Sequence, residues 1–395
     1  FYAGADVRSA SEAYSLTLPD TVVRQCKSAL GPLTAFKRMV NSNGKPEFED
    51  VPLTGEAFPH DHAKLPAEIP QTGDRGIRLA DVVNGKNTLE EFTAQLTDYD
   101  LSCIIRGEGM GSPKVTAGTA AAFGGVSDTL TALGIPCACC DDGPSGMRLD
   151  CGTKAFSLPN GTLLASTFDR PLMTELFTFM GLEMHTNQVD CLLGPGMNIH
   201  RHPLNGRNFE YFSEDPYLTG EMASAELAGL HSTGAEGTIK HFCGNNRETR
   251  RHFLDSVISE RALREIYLRG FEKAVKKGGA KSVMTTYGQV NGVWTAGNYG
   301  LVTGILRDDW GFDGFTMTDW WANINRRGKA PDKSDFAAMA MAQNDVYMVT
   351  ADGAACNDNT LDSLKSGELT RGELQRNAMN ILRFLTTTHA MKRVM

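Results

Sequence analysis

Short apolar runs that alternate with longer helical patterns, from Thr88 to the end of the chain, constrain the fold more than any other feature. Runs at 135–140, 191–193, 282–284, 315–317 and 346–348 have the composition and length of buried strands, and 238–239 leads into another polar turn. Helical patterns occupy 172–184, 219–232, 259–276 and 371–387, with Ile266, Leu268, Phe271 and Val275 on one side of the third. Thr88 and Glu91 form a capping box that opens a first helix through Leu89, Phe92, Leu96 and Leu101. Parallel strands need a crossover between them, usually a helix, so this alternation predicts an α/β fold. The arrangement expected is a (β/α)8 TIM-like barrel over residues 87–395, with the last amphipathic helix closing it.

Upstream the pattern differs. Residues 13–18 and 35–40 alternate as sandwich strands do, punctuated by Pro19-Asp20 and Gly31-Pro32, but are too short to close a core alone. Residues 41–86 are rich in Gly, Pro, Asn and Asp without periodicity and read as a linker laid over a surface. The chain opens with Phe1 in a strand-like run, with no signal-peptide pattern, and is expected to be the downstream part of a longer polypeptide.

A formal net charge of −8 argues against nucleic acid or an anionic membrane as the main partner, and no apolar run has the length of a bilayer span. The nine cysteines show no even framework of spacings, which fits reduced thiols in the cytoplasm. Zinc at Cys137, Cys139 and Cys140 is the alternative. Adjacent strand residues face opposite ways, however, and no C-x-x-C pair recurs, so no metal is expected.

The segment 310–322 places Asp319 directly after a predicted strand and before Trp320 and Trp321. A carboxylate leaving the C-terminal end of a barrel strand stands where barrel enzymes carry their chemistry, and an indole face suits a sugar ring. The alternative is an N-cap Asp with core tryptophans. Other polar clusters also follow strand-like runs. Asp142 lies in a Gly/Pro turn, which alone reads as structural. Residues 194–216 form a long irregular loop carrying Arg207, and its His200/His202 pair lacks a third ligand. Residues 239–251 bring Lys240, His241 and Arg251, where the Lys-His pair can donate hydrogen bonds to hydroxyls or Lys240 can form a Schiff base. Tyr287 ends a further strand and reads either as a phenol beside the nucleophile or as core.

Together, DGPSGMR (142–148), GPGMNIHR…NGRNFEYFSEDP (194–216), KHFCGNNRETRR (240–251), SERALREIYLRGFE (259–272), VMTTYGQVNG (283–292) and WGFDGFTMTDWWA (310–322) resemble glycoside hydrolase family 3 of the β-glucosidase type. The resemblance implies that Asp319 is the nucleophile of a retaining exo-β-glycosidase. It assigns Asp142, Arg207, Lys240, His241 and Arg251 to the hydroxyls of the sugar in the −1 subsite. Tyr287 stands beside the nucleophile, Trp320 forms an aromatic wall, and Glu210, Glu214, Asp215 and Glu248 are framework carboxylates. Arg251 and Lys240 are expected to keep Asp319 ionised. No organic cofactor is implied.

In most members the barrel precedes an α/β-sandwich domain that carries the acid/base. Here residues 1–40 resemble the end of a fibronectin type III-like domain, as in members of inverted order. The acid/base is therefore expected from a sandwich domain upstream of Phe1, on the same or a separate chain, with self-association also open. A sugar-binding scaffold, inactive without that domain, is the rival expectation.

Overall fold

The computed structural model describes residues 64–326 and 329–395 in full, and of the earlier residues the backbone of two strands. These strands, Phe36–Ser42 and Lys45–Val51, pair antiparallel with Ser42 opposite Lys45. The strand expected at 35–40 is thus present from Phe36, while the rest of the fibronectin-like expectation lies outside the described residues. The stretch read as linker carries two elements that its lack of periodicity hid, the strand Lys45–Val51 and the helix Leu79–Val83. No described helix is long and apolar enough to cross a membrane.

Eight strands form the barrel, numbered here in chain order: β1 (Arg106–Glu108), β2 (Ala121–Gly124), β3 (Cys137–Asp142), β4 (Cys191–Leu193), β5 (Glu236–Phe242), β6 (Ser282–Thr285), β7 (Phe315–Met317) and β8 (Tyr347–Thr350). β1 to β7 pair in chain order, β8 pairs in parallel with β1, and a parallel bridge from Met317 to Val346 brings β7 against the start of β8. The expected all-parallel order is corrected at one strand. β2 runs antiparallel to both β1 and β3; the connection from β1 holds no helix to carry the chain back along the sheet, and β2 returns directly beside it.

Helices cover the outside where apolar stripes allow. Thr88 and Glu91 cap the helix Leu89–Thr93 reciprocally, and Thr370 and Glu373 do the same for Arg371–Leu385. The stretch 259–276 is not one regular helix. Its middle, Leu263–Tyr267, is a π turn in which the Leu268 N–H reaches back five residues to the Leu263 carbonyl. The extra residue rotates Ile266 into solvent and leaves Leu263, Leu268, Phe271 and Ala274 in the core. The cysteine run behaves as strand alternation requires: Cys139 and Cys140 enter two different apolar clusters on opposite faces of β3.

The placement of β7 rests on two local constraints. A Cβ on Gly314 would stand 2.1 Å from the Lys281 carbonyl oxygen, so β7 approaches β6 closely only with glycine at that point. Behind the strand, Asp345 is fully buried. Its Oδ2 accepts from Arg307 Nη2 at 2.6 Å and the Thr316 N–H at 2.9 Å, and its Oδ1 accepts from Asn380 at 3.0 Å. Burial raises the Asp345 pKa against the opposing pull of Arg307. Removing only the cation leaves an uncompensated charge in the core. Arg307→Met is therefore expected to lower the unfolding free energy by about 3–5 kcal/mol in urea titrations. Adding Asp345→Asn should restore most of that loss; a single variant within about 0.5 kcal/mol of the parent would show that the pair does not hold the strand.

Candidate active site

The C-terminal ends of β3, β5, β6 and β7 converge on one cavity of about 330 Å³. All eight residues assigned from the sequence line it: Asp142, Arg207, Lys240, His241, Arg251, Tyr287, Asp319 and Trp320. Strand geometry explains the gathering, since residues just past the ends of neighbouring strands in a closed sheet point to a common mouth. The loop after β4 adds Arg207. It is held beside β5 by a parallel bridge between Gly196 and Lys240, and Asn198 clamps His241 by exchanging hydrogen bonds with its backbone N–H at 3.0 Å and carbonyl at 2.9 Å. The loops after β5 and β6 are braced by a small sheet of Asp255–Ser256, Gln289–Val290 and Val293–Trp294.

Asp319 is 6% exposed. Its Oδ1 accepts from the Trp320 N–H at 2.8 Å, no helix follows, and the N-cap reading is set aside. Its Oδ2 is buried and accepts no hydrogen bond, with His241 Nε2 at 3.6 Å. A buried acceptor without a partner is destabilising and calls for an explanation, and at a cavity wall among charged side chains a catalytic role supplies one.

Electrostatics correct one expectation. Burial raises the Asp319 pKa to about 6, against the pull of Arg207, the Trp320 N–H, Lys240 and the Tyr287 hydroxyl. Desolvation therefore outweighs the cations, and Arg207 takes the place expected of Arg251. Arg251 instead binds Glu248 at 3.1 Å and lies over the Tyr287 ring at 4.5 Å. Burial and the Asp319 charge raise the Tyr287 pKa, so the phenol stays protonated.

The other charges are paired. Lys240 Nζ contacts Asp142 Oδ1 at 3.0 Å and Glu210 Oε2 at 3.7 Å. Burial alone would raise the Asp142 pKa, but Lys240 and Arg148 hold it down to about 2. A lysine so paired is a charged donor, which disfavours the Schiff-base alternative. Arg207 binds Glu210 through Nε and donates from Nη2 to His241 Nε2 at 2.9 Å. Since arginine only donates, Nε2 carries the lone pair and Nδ1 the proton, which faces the Tyr211 hydroxyl at 3.2 Å. Burial and Arg207 push the His241 pKa well below its usual range. Both ring nitrogens of His241 are thus engaged, Nε2 accepting from Arg207 and Nδ1 facing Tyr211, where the sequence had suggested a donor to the sugar.

Glu210 and Glu248 hold the cations as expected. Asp215 does not; it caps the helix Pro216–Thr233 through the Tyr217 N–H, and Glu214 lines a separate groove with His200 and Arg201. Among the described residues no group of three His, Cys, Asp or Glu side chains could hold a metal. Sequence reasoning gave no role to Tyr211 or Asn245. Asn245 bridges the Tyr211 hydroxyl and Glu248, each at 3.0 Å, and its place beside the basic run gave no signal. Trp321 is 46% exposed against 8% for Trp320, so it is the more open indole of the cavity. It holds a left-handed φ of 56°, uncommon for a bulky residue, with its N–H bound to the Met348 carbonyl at 2.7 Å.

The chain is similar to several known β-glucosidases. A β-glucosidase of Ruminococcus albus is 68% identical over the whole chain, which covers 42% of that protein. β-Glucosidase A of Butyrivibrio fibrisolvens is 33% identical, across 99% of this chain and 48% of its own length. Among solved structures, a β-glucosidase of Paenibacillus barengoltzii superposes with a TM-score of 0.89 at 53% identity, across 94% of this chain and 42% of that one. β-Glucosidase 3B of Thermotoga neapolitana, in complex with α-D-glucose, gives 0.70 at 37% identity, across 78% and 44%. The chain spans less than half the length of each of these relatives. The sequence model described as "Glycosyl hydrolase family 3 N terminal domain" matches residues 73–384, and the chain belongs to that family.

Proposed function

We propose that this chain forms the nucleophile-bearing part of a retaining exo-β-glycosidase, a β-glucosidase, that releases terminal non-reducing sugars through a glycosyl-Asp319 intermediate. The observation that carries the reading is the uncommitted Oδ2 of Asp319, buried at the cavity wall with its pKa raised only to about 6. It is ionised at neutral pH and free to form a bond to an anomeric carbon. A cavity of about 330 Å³ is at the small end for ligand sites and suits one pyranose ring. Around that ring, ionised Asp142 accepts from hydroxyls while Lys240, Arg207 and Arg251 donate, and neutral His241 holds the Arg207 guanidinium in place. A sugar with the wrong hydroxyl orientation would strand one of these groups, which gives stereochemical selection. The β-glucosidase names of the relatives support glucose as the sugar.

A retaining mechanism needs a second carboxyl group that protonates the leaving oxygen and later activates water. Asp142 is the other carboxylate lining the cavity, and held at about 2 it is too acidic to serve. We assign the acid/base to an α/β-sandwich domain in the part of the whole protein that this chain does not span, upstream or on a separate chain. The eight described cysteines are all free, which supports a reducing, cytoplasmic setting.

In the whole protein, Asp319→Ala should lower turnover of an aryl β-glucoside by about 10⁴-fold or more, with azide restoring turnover and giving the α-glucosyl azide. Activity within tenfold of the parent would remove the reading. Loss of the nucleophile's charge should set the acidic limb, so kcat/KM falls tenfold per pH unit below about pH 6. Stability carries the same signature with a defined sign. The Asp319 pKa is higher folded (about 6) than its ordinary value of 3.8, so the favourable protonated state is fully present below about pH 4 and lost as pH rises through 6. Asp319→Asn should accordingly raise the melting temperature by a few degrees, on the order of 2–4 °C per kcal/mol, at pH 7.5 and leave it unchanged at pH 4. A gain of equal size at both pH values would contradict the shift.

A further inference from the structure

A second chemistry-bearing cluster lies outside the cavity and plays no part in the proposed glycoside chemistry. The helix Asp98–Ile104 presents Tyr99, Ser102 and Cys103 toward the loop that follows β8. These positions are i, i+3 and i+4, and so share one face. The Tyr99 hydroxyl donates to the Ala354 carbonyl at 3.1 Å, and the Gly353 N–H donates to Glu108 Oε1 at 3.2 Å, which together fix the loop. Cys356 is thereby set with its Sγ 3.8 Å from Cys103 Sγ, 3.7 Å from Ser102 Oγ and 3.3 Å from Arg106 Nη1. Its φ of 49° is left-handed, unusual for a residue with a Cβ.

We propose that Cys103 and Cys356 are a redox-reactive thiol pair that closes to a disulfide when the protein meets a peroxide-class oxidant. The two sulfurs are unequal, which sets their roles. Cys103 is wholly buried, and burial together with the neighbouring Cys356 pushes its thiol up to about 12, so it does not react first. Cys356 is half-buried, and negative charge forming on its sulfur meets the Arg106 guanidinium, itself anchored through Nε to Asp358 at 2.7 Å. The Cys356 thiolate attacks a peroxide oxygen, breaking the O–O bond to give a sulfenic acid and, with one proton, water. The Cys103 sulfur then attacks the sulfenic sulfur, its proton leaving with the hydroxyl as a second water. Two thiols are oxidised by two electrons and one peroxide is reduced. The product joins the helix ahead of β1 to the loop after β8, and these two strands are neighbours in the barrel.

The test is peptide mapping of the whole protein after brief exposure to hydrogen peroxide and blocking of free thiols. Tryptic peptides 87–106 and 334–365 contain one cysteine each. The expected product is one cross-linked species of these two peptides, lighter by two hydrogens and separated by dithiothreitol. In Cys103→Ser, Cys356 should stop at a sulfenic acid trapped by dimedone, and in Cys356→Ser the 87–106 peptide should remain unmodified. Oxidation confined to the exposed Cys151, or progression of Cys356 to sulfinic acid in the parent without any cross-link, would overturn the proposal.

Discussion

One carboxylate taken out of water, with one oxygen left unbonded, is the condition to which the rest of the catalytic face answers. Asp319 cannot rely on solvent for its charge, so the protein supplies Arg207 and Lys240 nearby and one backbone N–H in contact. Those cations are themselves tied to Glu210 and Asp142, and this tempers their field. Had they been unpaired, the carboxylate would be held at low pKa and would be a poorer nucleophile. Had they been absent, burial would raise its pKa further. The balance between desolvation and partly neutralised cations sets a value near 6, where the group is charged at neutral pH and still reactive.

The barrel makes this balance possible by fixing where each side chain starts. β7 is set against β6 by the close approach at Gly314, and from behind by the Arg307–Asp345 pair. β5 is lengthened by its bridge to the loop after β4, so that Lys240 and His241 reach the cavity while Asn198 holds the backbone between them. Tyr211 and Asn245 then fix the imidazole with its protonated nitrogen away from Asp319. A neutral histidine beside a carboxylate avoids a tight ion pair that would consume the free oxygen.

Much of this was legible in the sequence, for physical reasons that can be named. Cys191–Leu193 is apolar throughout, Phe315–Met317 is β-prone with one Thr, both are bounded by turns, and a short strand buried on both sides reads that way. Thr88–Glu91 caps through side chains fixed by local spacing alone. What was hidden depends on partners distant in the chain. β1 is Arg-Gly-Glu, a strand whose charges are buried only because Asp358 and Lys114 meet them. The reversal of β2 accompanies a missing helix, and a missing element leaves no pattern. The π turn at Leu263 breaks the 3.6-residue period that placed Ile266 inside. In the site, a motif identifies Arg251 as readily as Arg207, but only the folded chain shows which guanidinium stands at the nucleophile.

The most direct test is trapping with a 2-deoxy-2-fluoro-β-glucoside bearing a good leaving group, followed by mass spectrometry of the whole protein and its tryptic digest. If Asp319 is the nucleophile, one fluoroglucosyl group will be found on peptide 308–326, at Asp319, and will be released slowly on adding an acceptor sugar. Reversible sugar binding without any covalent adduct, or an adduct on a different carboxylate, would contradict the account.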